Sequence, residues 1–405
     1  MGQLSRLKNF FTTGNFLFNK WFGATLWFGL SIFTIVQNLV NHSLNNFIIF
    51  RYSYFHTLEK VNLYLSYPQQ YEDVFLYGPV FSIFIAPFAL MPVWLGTACW
   101  VLLNTAFLYY AIRQLPISIQ WKNALILFCA HEMMNHSSWL QTNAIICGCI
   151  ILAYVFVNKE KDIWALLFIV LATFIKLYGV VGLAFFLFSK QKGKFVLWGI
   201  CWSLVCFFAP LLITDFSFLT QCYHDWYMAL TTKAAKNIDL SNLNYFQDIS
   251  IMGIIRRVFY ANLNDAYVLI PGALLMLSQF IYLRFYKDLR YQLYLLASIL
   301  IFTVIFSTGS ESPTYIIALP GICIWYILQR KDKATNSFFI LALLFTTLCY
   351  SDIFTTAVRR HIVMRYSLKA VFPSIIWIII LIQIHMKQFL KIPDPLEDNT
   401  IPQSV

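Results

Sequence analysis

Residues 45–79 read NNFIIFRYSYFHTLEKVNLYLSYPQQYEDVFLYGP. The stretch lies between two long apolar runs, Trp21–Val40 and Val74–Pro92. It carries Arg51, His56, Glu59, Lys60, Glu72 and Asp73 in a chain that is only 12% charged, and it is dense in Tyr and Phe. Charge beside a bilayer is costly, so the segment reads as a loop lying on the membrane surface. Two roles suit such a loop. One is an active site held just outside the hydrocarbon. The other is an interfacial belt whose rings sit at headgroup depth.

The bulk composition decides the class. The 405 residues are 60% hydrophobic and 18% aromatic, with a mean hydropathy of +0.67. Soluble domains are typically about 45–50% apolar and about 25% charged. The chain therefore reads as an all-α polytopic membrane protein. A helix needs about 20 apolar residues to cross a bilayer. Candidate spans fall near 21–40, 74–92, 94–112, 139–157, 163–177, 178–188, 195–213, 266–283, 291–306, 314–329, 336–350 and 368–386, about twelve in all. Lys176-Leu177-Tyr178-Gly179 interrupts the 163–188 region, which suggests two short helices or a helix and a re-entrant piece. Residues 121–134 are apolar but short, and suggest a re-entrant segment or half-helix.

The N-terminal MGQLSRLKNFFTTGNFLFNK is basic and lacks a small-residue cleavage site, so Trp21–Val40 reads as a retained first span. Lys159/Lys161, Lys190/Lys192/Lys194, Arg284/Lys287/Arg290 and Arg330/Lys331/Lys333 concentrate in short loops on one side. By the positive-inside rule that side is cytoplasmic, with both termini on it. Glu59, Glu72, Asp73, Glu132, Asp215, Asp225, Asp239, Asp248, Asp265, Glu311 and Asp352 then fall outside, and Thr214–Asp265 is the largest outer loop. Residues 1–390 read as one transmembrane domain. Residues 391–405, with Pro393, Pro395 and Pro402, read as a disordered cytoplasmic tail. The nine cysteines form no CxxC and read as small buried hydrophobes. The net charge of +11 points to cytoplasmic loops and anionic lipid, with no nucleic acid as partner.

Several residues are candidates for chemistry. Glu72-Asp73 offers a general base at the lip of the second span, or else two acids favouring a helix N-terminus. His131-Glu132…His136, followed by Gln141 and Asn143, offers acids and amides for sugar hydroxyls, or interhelical hydrogen bonds. His131, Glu132 and His136 have no established metal-ligand spacing, and no metal site or cofactor is expected. Lys176, in TFIKLYG, suits a phosphate or a snorkelling role. Glu311, in FSTGSESPTY, sits on a Gly/Ser/Pro turn that places a carboxylate over a cavity or simply closes a hairpin. Arg256-Arg257, Arg359-Arg360-His361 and Arg365 are outer cations suited to a lipid phosphate. The chain has no phosphate-binding glycine loop, and its first outer loop has no DxD.

The order of these landmarks resembles glycosyltransferase family 87. The likeness runs through NNFIIFRYSYF…NLYLSYPQQYEDVFLYGPVFSIFIAPFALMPVWLG, WLQTNAIICGCIILAYVF, FIKLYG, VIFSTGSESPTYIIALPG, SDIFTTAVRR and LKAVFPSIIW, and is similar to the family's Bacteroidetes versions. The resemblance implies a GT-C-type bundle working at the outer face of the inner membrane. It implies a polyprenyl-phosphate sugar donor, commonly mannose or arabinose, and a glycolipid or glycan acceptor. The family's aspartate after span one, in a pattern like Asp-Phe/Leu-x-Val-Tyr, corresponds here to Asn46-Phe47-Ile48-Ile49-Phe50. Asparagine cannot serve as a base, so that role is expected of Asp73 with Glu72 beside it. Lys176, Arg359 and Arg360 are expected on the donor phosphate. Glu132, Gln141, Asn143 and Glu311 are expected around the sugar cavity. The rival classes are a transporter or flippase of lipid-linked sugars, and a non-catalytic partner of a glycan polymerase.

Overall fold

The computed structural model describes residues 15–239 and 247–392, and no strand occurs among them. Five helices are long and apolar enough to cross a membrane: Lys20–Val40, Val93–Gln114, Lys192–Leu212, Ala266–Phe285 and Leu368–His385. At 1.5 Å per residue, 21 residues cover about 31 Å, the thickness of a hydrocarbon core. Only 17% of the apolar window in Lys192–Leu212 is buried within the protein. Leu197, Ile200 and Leu204 are each more than half exposed. A helix uncovered in this way is stable against lipid, not water. Six further apolar helices have 10–17 residues. The expected span at 74–92 contains only the nine-residue helix Phe81–Ala89.

The chain divides into two compact units. One comprises Ser31–Ala111 and His136–Asp239. Its core helix is Asn143–Asn158, buried on nearly every face, against which Asp162–Ile175 packs, with Lys192–Phe208 beyond. The interruption expected at Lys176 is present. Lys176 is extended (φ −148°, ψ 122°) and separates the Asp162–Ile175 helix from a 3₁₀ run over Leu177–Phe188. The other unit comprises Met1–Leu30, Ile112–Asn135 and Leu240–Val405. Its centre is the Leu289–Ile305 helix, packed against Ala318–Ile327 and Val371–His385.

Two expectations are corrected. Residues 45–59 are a helix, not a surface loop. Phe47, Phe50, Ser53, His56 and Thr57 are buried on one face of it, at the three- and four-residue spacing of a helix. The rings read as an interfacial belt are therefore partly core. Residues 119–138 form one continuous helix, with no re-entrant break. The large outer loop contains the 23-residue helix Phe216–Ile238, whose N-terminus is capped by Asp215 accepting from the Phe218 N–H at 2.8 Å. Seven of the nine cysteines are buried. Residues 393–405, most of the expected tail, lie outside the described residues.

Candidate active site

In the first unit, residues 60–80 have no regular structure and are fixed by side chains. Lys60 has a left-handed backbone that ends the Asn45–Glu59 helix, and its ammonium pairs with Asp215 at 2.7 Å. That contact holds the Asp215 carboxyl below its ordinary range. Asn62 donates to Asp225 Oδ2 at 2.8 Å. Trp226 donates to the Leu76 carbonyl at 2.9 Å, and the Tyr64 hydroxyl to that of Tyr77 at 3.0 Å. The Gly78 N–H reaches the Ile175 carbonyl at 3.2 Å. A Cβ on Gly78 would stand 2.0 Å from the Phe174 carbonyl oxygen, so only glycine allows this approach.

Asn45 fixes the next turn. Its amide donates to the Glu72 carbonyl and accepts from the Glu72 N–H, both at 2.8 Å. Asp73 follows with φ of 69°, a conformation that Asp and Asn tolerate better than most residues. Its Oδ1 accepts from the Val74 N–H at 2.9 Å. Its Oδ2 lies 3.6 Å from Lys233 Nζ, and the side chain is 56% exposed.

Asp73 lines a groove of about 340 Å³. Asn62, Tyr64, Leu65, Ser66 and Val74 form one wall, and one face of the Phe216–Ile238 helix forms the other. The second carboxylate there, Asp225, is engaged on both oxygens: Gln221 donates to Oδ1 at 2.8 Å and Asn62 to Oδ2. Asp73 is the carboxylate left facing the groove. Glu72 is exposed and does not line it. Nearby, His56 is buried against Tyr52, Tyr67 and Tyr71. Burial pushes its imidazole below the usual value despite the Gln70 hydrogen bond at 2.9 Å.

The same unit brings together three more of the expected residues. Lys176 donates to Asn143 Oδ1 at 2.9 Å, and Asn143 donates to Gln141 Oε1 at 2.7 Å. The ammonium also lies 4.8 Å from the Tyr178 ring centroid and 5.8 Å from that of Tyr77. His136 Nε2 accepts from the Ala144 N–H at 3.1 Å, which leaves that nitrogen without a proton. Asn46, at the position of the expected family aspartate, donates to the Trp139 carbonyl at 2.7 Å.

In the second unit, Glu132 is fully buried, with Lys369 Nζ at 2.9 and 3.1 Å from its two oxygens. Lys369 is equally buried and also donates to Ser312 Oγ at 3.0 Å. Asn135 donates to Glu132 at 2.9 Å. Glu311 accepts from Gln247 at 2.8 Å. Arg359 pairs with Asp352, while Arg360 is exposed. Arg256 and Arg257 are not the lipid-facing cations expected of them. Arg256 is buried between Asp248 and Asp265, and Arg257 holds Ser367 and the Gln247 carbonyl. Among the described residues, no group of three His, Cys, Asp or Glu is arranged to hold a metal ion.

Sequence reasoning does not single out Lys233, Lys236 or Lys369. The first two sit in a stretch that reads as loop, although groove residues 225, 228, 229, 232, 233 and 236 carry helical spacing. Lys369 is a lone cation at the start of an apolar run, and the acid opposite it has no partner that the sequence assigns.

The model of glycosyltransferase family 87 matches residues 75–308, more than half of the chain. The chain belongs to glycosyltransferase family 87. It is, by that membership and its uncovered apolar helices, a membrane glycosyltransferase. The matched segment of this family 87 chain includes Glu132, Gln141, Asn143 and Lys176 and begins two residues after Asp73. No curated protein matches the chain.

Proposed function

We propose that this family 87 enzyme moves a hexose such as mannose, or a pentose, from a polyprenyl-phosphate donor to a hydroxyl of a glycolipid or glycan acceptor. The reaction would take place at the outer face of the inner (plasma) membrane, on a GT-C-type bundle of about twelve spans with both termini cytoplasmic. One observation carries the reading: Asp73 is a carboxylate facing a sugar-sized groove, on a rigidly held turn, while its neighbour Asp225 is fully engaged.

Asp73 Oδ2 accepts the proton of the acceptor hydroxyl. The acceptor oxygen bonds to the anomeric carbon as the bond from that carbon to the phosphate oxygen breaks, and polyprenyl phosphate departs with the bonding pair. General-base assistance of this kind typically contributes about 10²–10⁴-fold. The step as written uses no cofactor. Glu72 reinforces the negative potential beside the base. Lys176 binds the donor phosphate, and Arg359 and Arg360, in their own unit, offer cations to lipid phosphate. Gln141 and Asn143 hold Lys176 and offer amides to sugar hydroxyls. Glu132, through Lys369, and Glu311, through Gln247, shape the polar interior of their own unit.

The test is transfer by purified protein in lipid, given a panel of radiolabelled polyprenyl-phosphate sugars and extracted membrane glycolipids. Label is expected to move from one donor of the panel, and not from nucleotide sugars. Transfer from a nucleotide sugar alone would refute the donor class.

A further inference from the structure

The wall of the groove opposite Asp73 is a stripe of the Phe216–Ile238 helix: Asp225, Met228, Ala229, Thr232, Lys233 and Lys236. These positions recur at three- and four-residue intervals, so they share one face. Its two cations outnumber its one acid. Asp225 is engaged by Asn62 and Gln221. Lys233 forms a long ion pair with Asp73 at 3.6 Å, beyond hydrogen-bond range. Lys236, about one turn further on, is exposed and makes no ion pair among the described residues. The stripe thus presents positive charge to the groove. It does so on a segment expected on the non-cytoplasmic side, where lysines run against the usual bias.

Position decides which substrate meets these cations. A base touches the acceptor, so groups within a few ångströms of Asp73 touch the acceptor as well. In a single displacement the leaving phosphate departs from the face of the anomeric carbon opposite the attacking oxygen. Lys233 and Lys236 therefore face the acceptor and not the donor phosphate. We infer that the acceptor is anionic: it carries a phosphate or carboxylate about 5 Å, one helical turn, from the hydroxyl that is glycosylated, and Lys233 and Lys236 bind that group. The inference rests on Asp73 being the base. Tyr64, Leu65 and Val74 supply an apolar wall for a sugar face or the start of a lipid chain. The volume of about 340 Å³ is at the small end of ligand sites, about 300–1,000 Å³.

The test needs no donor. Three probes differ in one group: an alkyl glucoside, its 6-phosphate and the alkyl glucuronide. Their binding to the full chain in nanodiscs of zwitterionic lipid is measured by calorimetry. At least one anionic probe is expected to bind about tenfold or more tightly than the neutral glucoside, a difference of about 1.4 kcal/mol. Which of the two gains identifies phosphate or carboxylate. Lys236→Met removes most of that preference, Lys236→Arg keeps it, and Lys190→Met, on another loop, leaves all three affinities unchanged. Equal binding of the three probes, or no binding of either anionic one, overturns the inference. So does a preference that survives in Lys233→Met/Lys236→Met, since it would then stem from the overall charge of +11. A failure to transfer sugar from any donor would refute the proposed reaction while leaving these affinities as measured.

Discussion

Asp73→Asn lowers sugar transfer by about 10²–10⁴-fold, the range for removing a general base, while leaving the protein folded. The substitution isolates chemistry from structure for three reasons. Asparagine tolerates the left-handed backbone at this position, where φ is 69°. Its side-chain oxygen still accepts from the Val74 N–H. The ion pair that it gives up, with Lys233 at 3.6 Å and the carboxylate 56% exposed, is a surface pair of about 0–1 kcal/mol. Initial rates of label transfer, measured beside the thermal midpoint of the same preparations, check both halves. A rate within twofold of wild type would remove Asp73 from the reaction. A collapse of the midpoint would mean that the loss of rate reports folding.

The largest effect on stability is expected in the other unit. Lys369→Met leaves Glu132 buried with Asn135 as its hydrogen-bond donor and no cation. Removing one partner of a buried pair typically costs about 3–5 kcal/mol, because the remaining charge is uncompensated. Glu132→Gln/Lys369→Met removes both charges, and its stability is expected to lie closer to wild type than that of Lys369→Met. Denaturant unfolding of wild type, the two single variants and the double variant in one detergent gives the coupling between the two sites. Additive losses would show that the two side chains do not act as a pair.

Much of the architecture is legible in the chain because membrane helices are written locally, in apolar length. Trp21–Val40 and the break at Lys176 follow from composition alone. The Asn45–Glu59 helix does not, because its aromatic positions satisfy two physical needs at once: a belt at headgroup depth and a buried helical face. The Glu132–Lys369 pair is hidden for a different reason. Its partners are 237 residues apart, and nothing local distinguishes a paired buried lysine from one that snorkels. Asp73 stands out as a candidate base from its residue type and its place at the lip of a span. Its surroundings do not, because the Phe216–Ile238 stretch, moderately polar and lysine-bearing, reads as an outer loop until helical spacing is tested along it.

Asn46 raises the sharpest question about the reaction, because it stands where the family resemblance leads one to expect an aspartate. In this chain its amide donates to the Trp139 carbonyl at 2.7 Å, a task that an ionised carboxylate cannot perform. The direct test is sugar transfer by wild type, Asp73→Asn and Asp73→Asn/Asn46→Asp, with the same donor and acceptor. If Asp73 is the base, the single variant loses transfer and the double variant stays inactive. Transfer restored in the double variant would place the base at position 46 and contradict the assignment of Asp73.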